Sequence, residues 1–150
     1  MNKIFIILLT LFLFFSCSYK PILTNKQYDI QFSKIDFDGE IKLNNIIKNI
    51  LFQRSNKESA KKYSIYFLTE QTKQIISSDA KGDPTIFKIE IALDYNIKLD
   101  EQIILSDRII KQLTYNNISD KFELLKYEEN LIKSLAEKMS NEILMSLTTL

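Results

Sequence analysis

A chain of 150 residues with 20 basic and 19 acidic side chains, no histidine and one cysteine has room for a single domain and for few kinds of chemistry. Ser-His-Asp and Cys-His triads and histidine-based zinc sites are excluded, and one cysteine cannot build a thiolate cage. The near-neutral charge lacks the basic footprint of a nucleic-acid binder, and two glycines, Gly39 and Gly82, cannot make a GxGxxG or P-loop motif.

Met1-Asn2-Lys3 gives a positive start, Ile4 to Phe15 is apolar except for Thr10, and Ser16 then precedes Cys17. This layout reads as a secretory signal ending at a lipoprotein cleavage site, with Phe14 and Phe15 where leucine and a small residue are usual. The apolar run is shorter than the ~20 residues a membrane span needs. Cleavage before Cys17 leaves a thiol and an amine to carry acyl chains. Each buried methylene is worth ~0.8 kcal/mol, so several chains anchor the protein to a membrane outside the cytoplasm. Residues 1–16 are then the signal, 17–27 a polar tether containing Pro21, and 28–150 a single domain. With no second cysteine, that domain has no internal disulfide.

Tyr28, Ile30 and Phe32 alternate with polar residues, and Ile35 and Phe37 alternate in the opposite phase. The change of phase predicts a strand with a bulge near Ser33-Lys34. Asp38-Gly39-Glu40 then opens a helix, with Asp38 as its expected cap. Leu43, Ile46, Ile47, Ile50 and Leu51 give that helix one buried face until about Arg54. Residues 55–62 are polar and lysine-rich, and read as a loop. Tyr63, Ile65 and Phe67 begin a second strand that runs to Ile76 and grows polar on the way. Asp79, Gly82, Asp83 and Pro84 mark a turn.

The strand Phe87–Leu99 is the clearest element, with every odd-numbered residue apolar or aromatic and charged or amide side chains at most even positions. Such alternation predicts a sheet covered on one face and wet on the other. A turn at Leu99–Gln102 leads to a further strand over Ile103–Ile118. Asp120 and Glu123 form a D-x-x-E capping box for a long helix. Leu124, Leu131, Leu135, Met139, Ile143 and Leu147 form its stripe, which Leu125, Ile132 and Leu144 broaden. The order strand, helix, three strands, helix predicts a two-layer α+β sandwich. Its sheet has four mostly antiparallel strands, covered on one face by two helices. Paired carboxylates for acid/base work are limited to Asp36 with Asp38 and Glu128 with Glu129. Neighbours on a helix point to different faces, and such strand residues near a turn are ordinarily solvated, so neither pair reads as catalytic.

Three stretches resemble the LPS-assembly lipoprotein LptE family. Cys17-Ser18-Tyr19-Lys20-Pro21-Ile22 is similar to the family's mature start, with Ser18 in place of the usual glycine. Ile41 to Leu51 looks like its first helix. Thr114-Tyr115-Asn116, with Ser119 and the helix to Leu147, looks like its last strand, Tyr-Asn corner and C-terminal helix. The resemblance implies a lipid-anchored outer-membrane protein that faces the periplasm and sits inside an LptD-type β-barrel. There it would plug the barrel, assist its assembly and contact lipopolysaccharide on the way to the cell surface, with no cofactor and no catalysis. Lipopolysaccharide is anionic, so contact would draw on lysines. Lys57, Lys61 and Lys62 beside the second strand are the candidates, although solvated loop lysines would read the same way. The alternative is an auxiliary lipoprotein of an ABC-type lipid transport system.

Overall fold

A computed structural model describes residues 28–149. Its elements are β1 (Gln31–Gly39), α1 (Ile41–Arg54), β2 (Lys62–Ser78), β3 (Pro84–Leu99), β4 (Gln102–Asn116) and α2 (Lys121–Thr148). The strands lie side by side in the order β1-β2-β3-β4, with β1 parallel to β2 and the other two pairings antiparallel. The predicted α+β architecture is therefore the one observed, with β3 inside the sheet. The parallel pair follows from the crossover: α1 carries the chain back to the start of β2, so β1 and β2 run the same way.

The phase change in β1 is a bulge. Pairing steps from Phe32↔Tyr63 to Lys34↔Ser64, leaving Ser33 unpaired in the ladder, and its hydroxyl donates to the Tyr63 carbonyl at 3.0 Å. The bulge keeps Phe32 and Ile35 both in the core. β1 ends at Gly39, whose φ of +97° suits glycine, and a Cβ there would stand 2.0 Å from the Thr69 carbonyl oxygen.

The start of α1 departs from expectation. Its cap position is Glu40, whose own side chain makes no capping hydrogen bond. The Asp38 carboxylate turns away and accepts from the Tyr66 hydroxyl at 2.9 Å, while its carbonyl accepts from Asn44 Nδ2 at 3.0 Å. Thr69 on β2 takes over the capping role: its hydroxyl accepts from the Glu40 amide at 3.2 Å and donates to Asn44 Oδ1 at 2.6 Å. Both Asn44 and Thr69 are buried. Asp120 caps the long helix, its carboxylate accepting from the amides of Phe122 and Glu123 at 2.8 and 2.9 Å, which is the Asp120 half of the expected capping box.

The core lies between the helices and one sheet face. Phe87, Ile89, Ile91, Leu93, Tyr95 and Ile97 of β3 are buried there, with Tyr63, Ile65 and Phe67 of β2 beside them. Leu43, Ile47 and Leu51 of α1 and Leu135, Met139, Ile143 and Leu147 of α2 close it from above. The helices differ in length. At 1.5 Å per residue, the 14 residues of α1 cover ~21 Å and the 28 of α2 ~42 Å. α2 therefore extends beyond α1, and its early residues Leu125 and Ile132 face Leu43 and Ile46 of α1 across an open groove. Leu125, expected in the buried stripe, is 61% exposed for that reason.

Candidate partner-binding surfaces

Among the described residues, no element covers the outer face of the sheet. Its side chains are those opposite in phase to the core, and they neutralise one another. Lys34 meets Asp36 at 2.6 Å, Lys88 meets Glu90 at 3.6 Å, and Arg108 meets Asp94 at 3.3 Å. The hydrogen bond and charge of Asp36 hold the Lys34 ammonium above its ordinary range, and the Asp38 hydrogen bond does the same to the Tyr66 phenol. A shallow cleft of about 390 Å³ opens on this face beside the β3–β4 turn, with Lys34, Lys62, Lys98 and Tyr66 on its walls. Asp100 and Glu101 form that turn with φ of 48° and 65°, the left-handed pair that a two-residue hairpin requires.

The far end of the molecule is organised around Glu128. Its carboxylate is buried under α2, accepting from Lys73 Nζ at 2.5 Å and from the Tyr115 hydroxyl at 2.6 Å. The Lys73 ammonium also lies 4.4 Å from the centre of the Phe87 ring, which stacks on Tyr115 at 5.6 Å. Burial, then the hydrogen bond and charge of Glu128, push the Tyr115 phenol well above its usual range. The node ties α2 to β2 and β4 where apolar packing has thinned. Its sequence signal is the position of Glu128, in line with Leu124, Leu131 and Leu135 on the apolar stripe. A carboxylate in such a stripe needs partners, and here they come from two strands, Lys73 of β2 and Tyr115 of β4.

Beside this node is a groove of about 460 Å³. Leu43 and Ile46 of α1 line it on one side and Leu125 and Ile132 of α2 on the other, with Gln71 of β2 at its back.

Cys17 lies outside the described residues. Lys57, Lys61 and Lys62 are all exposed, and only Lys62 reaches the cleft on the outer face. Asp36 and Asp38 are tied to different partners, Lys34 and Tyr66. Glu128 is buried and Glu129 exposed, so neither carboxylate pair converges on one point. Among the described residues, no cluster of three or more acidic, histidine or cysteine side chains is arranged for a metal, and no helix is long and apolar enough to cross a membrane.

No protein-family model and no curated protein matches the sequence. Solved structures do match the fold. A minor lipoprotein from Acinetobacter baumannii superposes with a TM-score of 0.59 at 9% identity, covering 82% of this chain and 93% of that one. The rare lipoprotein B of Shewanella oneidensis gives 0.56 at 10% identity over 77% and 94% of the two chains. Lipoprotein B from Nitrosomonas europaea gives 0.58 at 13% identity over 81% and 86%. The chain thus shares the βαβββα sandwich of these bacterial lipoproteins.

Proposed function

We propose that this chain is an outer-membrane lipoprotein, anchored through acylated Cys17. In this reading it plugs an LptD-type β-barrel, assists its assembly and serves lipopolysaccharide transport to the cell surface. The observation that carries the reading is the uncovered outer face of the sheet, wide and charged yet internally neutralised by Lys34–Asp36, Lys88–Glu90 and Arg108–Asp94. Barrel lumens are polar, so a plug must present a surface of that kind. The fold shared with named lipoproteins and the placement of Cys17 after an apolar run support the same reading. Lys62 is the one of the three lysines that reaches the cleft on this face, which Lys34 and Lys98 line together with the carboxylates Asp36, Asp100 and Glu101, and it is the candidate for contact with an anionic saccharide.

The test is copurification of the full-length protein with its β-barrel, together with depletion in cells. A stable one-to-one complex, with less surface lipopolysaccharide and a misassembled barrel on depletion, is the expected outcome. Recovery with an inner-membrane ABC transporter alone would replace this reading with the auxiliary-lipoprotein one, and turnover of a substrate would replace both.

A further inference from the structure

The second strand outlasts its neighbour. β1 stops pairing at Gly39↔Thr69, whereas β2 continues from Glu70 to Ser78 with β3 on one side only. Its other side presents backbone N–H and C=O groups with no described strand against them. The groove, with Leu43, Ile46, Leu125 and Ile132 as its apolar walls among charged neighbours such as Lys42, Glu129 and Lys133, opens directly beside this half-edge. An open backbone edge next to an apolar groove is the pair of features that strand addition uses: the edge binds main chain, and the groove takes alternate side chains.

We propose that an extended segment of the β-barrel partner adds to β2 along residues 70–75, with its inward side chains in this groove; the inference rests on the plug reading above. The length is set by the register step between Ile75 and Ser77, which bends the edge beyond that point. Inward side chains on a strand recur every ~6.7 Å, so two or three of them reach the groove. An acyl chain or a helix would fill the groove and leave the edge groups unpaired. The chain's own tether does not fit. Residues 18–27 join the domain at Tyr28, which bridges to Ser55 at the opposite end of the sheet. Ten residues span at most ~36 Å, and Thr72 lies about ten strand residues, ~33 Å, beyond Lys62, whose partner Gln31 itself follows Tyr28 by three residues, so none would be left to pair.

The other sheet edge, β4, is closed to such a guest by inward charges. Asp107 stands opposite Tyr95, and Lys111 stands opposite Ile91 and pairs with Glu142. Inward charge is a standard guard against edge pairing. On β2 the inward positions of this stretch are Gln71, Lys73 and Ile75, with Lys73 held by Glu128 and the Phe87 ring, so this edge carries no inward carboxylate like Asp107.

The test compares backbone hydrogen exchange in the free full-length chain and in its purified complex with the barrel. Alternate amides between Glu70 and Ile75 should slow roughly a hundredfold in the complex, while edge amides of β4 change by less than about tenfold. Leu125→Asp, at a position already 61% exposed, should weaken the complex about tenfold or more and leave the melting temperature of the free chain within ~2 °C. A complex whose 70–75 amides exchange as in the free chain overturns the strand addition and leaves the plug reading standing. Protection that instead follows a concentration-dependent dimer of the free chain overturns it in favour of self-pairing. Failure to form any complex removes the plug reading and this inference with it.

Discussion

Thr69→Val keeps the shape of the side chain and removes one hydroxyl, at the point where β1, α1 and β2 meet. That hydroxyl donates to Asn44 Oδ1 at 2.6 Å and accepts from the Glu40 amide at 3.2 Å. Valine leaves both groups without a partner. Asn44 is fully buried, so its oxygen loses a hydrogen bond that water cannot replace. A buried polar group left unmade costs ~1–3 kcal/mol, and the Glu40 amide, nearer solvent, sits at the low end. The sum is about 2–4 kcal/mol. At roughly 3–4 °C per kcal/mol for a domain of this size, the melting temperature should fall by ~6–16 °C. Urea unfolding should show a lower midpoint with an unchanged slope, because the surface exposed on unfolding is the same. Asn44→Leu should cost a similar amount, and the double variant about 1 kcal/mol or more less than the sum of the two, because it removes both ends of one bond. A Thr69→Val protein within about 0.5 kcal/mol of the parent, or single costs that simply add, would refute the claim that this pair holds the start of α1.

Three other outcomes are expected. Ile91→Asp should abolish the cooperative melting transition by placing an unpaired charge among fully buried apolar groups, whereas Glu90→Lys on the wet face should shift it by no more than a few degrees; equal mildness would mean the faces are assigned wrongly. Gly39→Ala should cost more than ~3 kcal/mol in urea unfolding, since its Cβ would meet the Thr69 carbonyl oxygen at 2.0 Å, while Gly82→Ala, with φ of +89° and open space around it, should cost only ~1–2 kcal/mol. The Tyr115 phenol is raised in the folded state, so its contribution is complete below the unfolded value of ~10 and is lost as pH rises above it; melting curves between pH 8 and 11.5 should decline less steeply for Tyr115→Phe than for the parent, and parallel declines would assign the alkaline loss elsewhere.

Legibility in the sequence tracked how local each cause was. β3 could be read directly because its alternation is set by a fully buried face, and the bulge in β1 because one extra residue inverts the phase on either side of Ser33. Asp120 caps α2 because capping involves only its next few residues. Asp38 looked equivalent and is not. Its helix starts against a neighbouring strand, and Thr69, far along the chain, reaches the Glu40 amide instead. The parallel partnership of β1 and β2 was likewise invisible, since nothing in either segment records which strand lies beside it. The spacing of Leu125 predicts a core position, but burial depends on what stands opposite, and Leu125 faces an open groove. The candidate surfaces were the least legible, because Lys62 joins Lys34 and Lys98 only through strand register.

The left-to-right strand order also fixes a timetable. β2 and β3 are joined by five residues and β3 and β4 by two, so these hairpins can close as soon as their own segments exist. β1 and α1 are made first, yet neither has a surface to pack on until β2 has been laid against β3. The first-made quarter or less of the described residues, with Leu43, Ile47 and Leu51, should therefore dock after the hairpins have formed. Its stability against unfolding should accordingly be governed by how fast β1 and α1 detach, and that detaching piece is the amino-terminal end of the described residues.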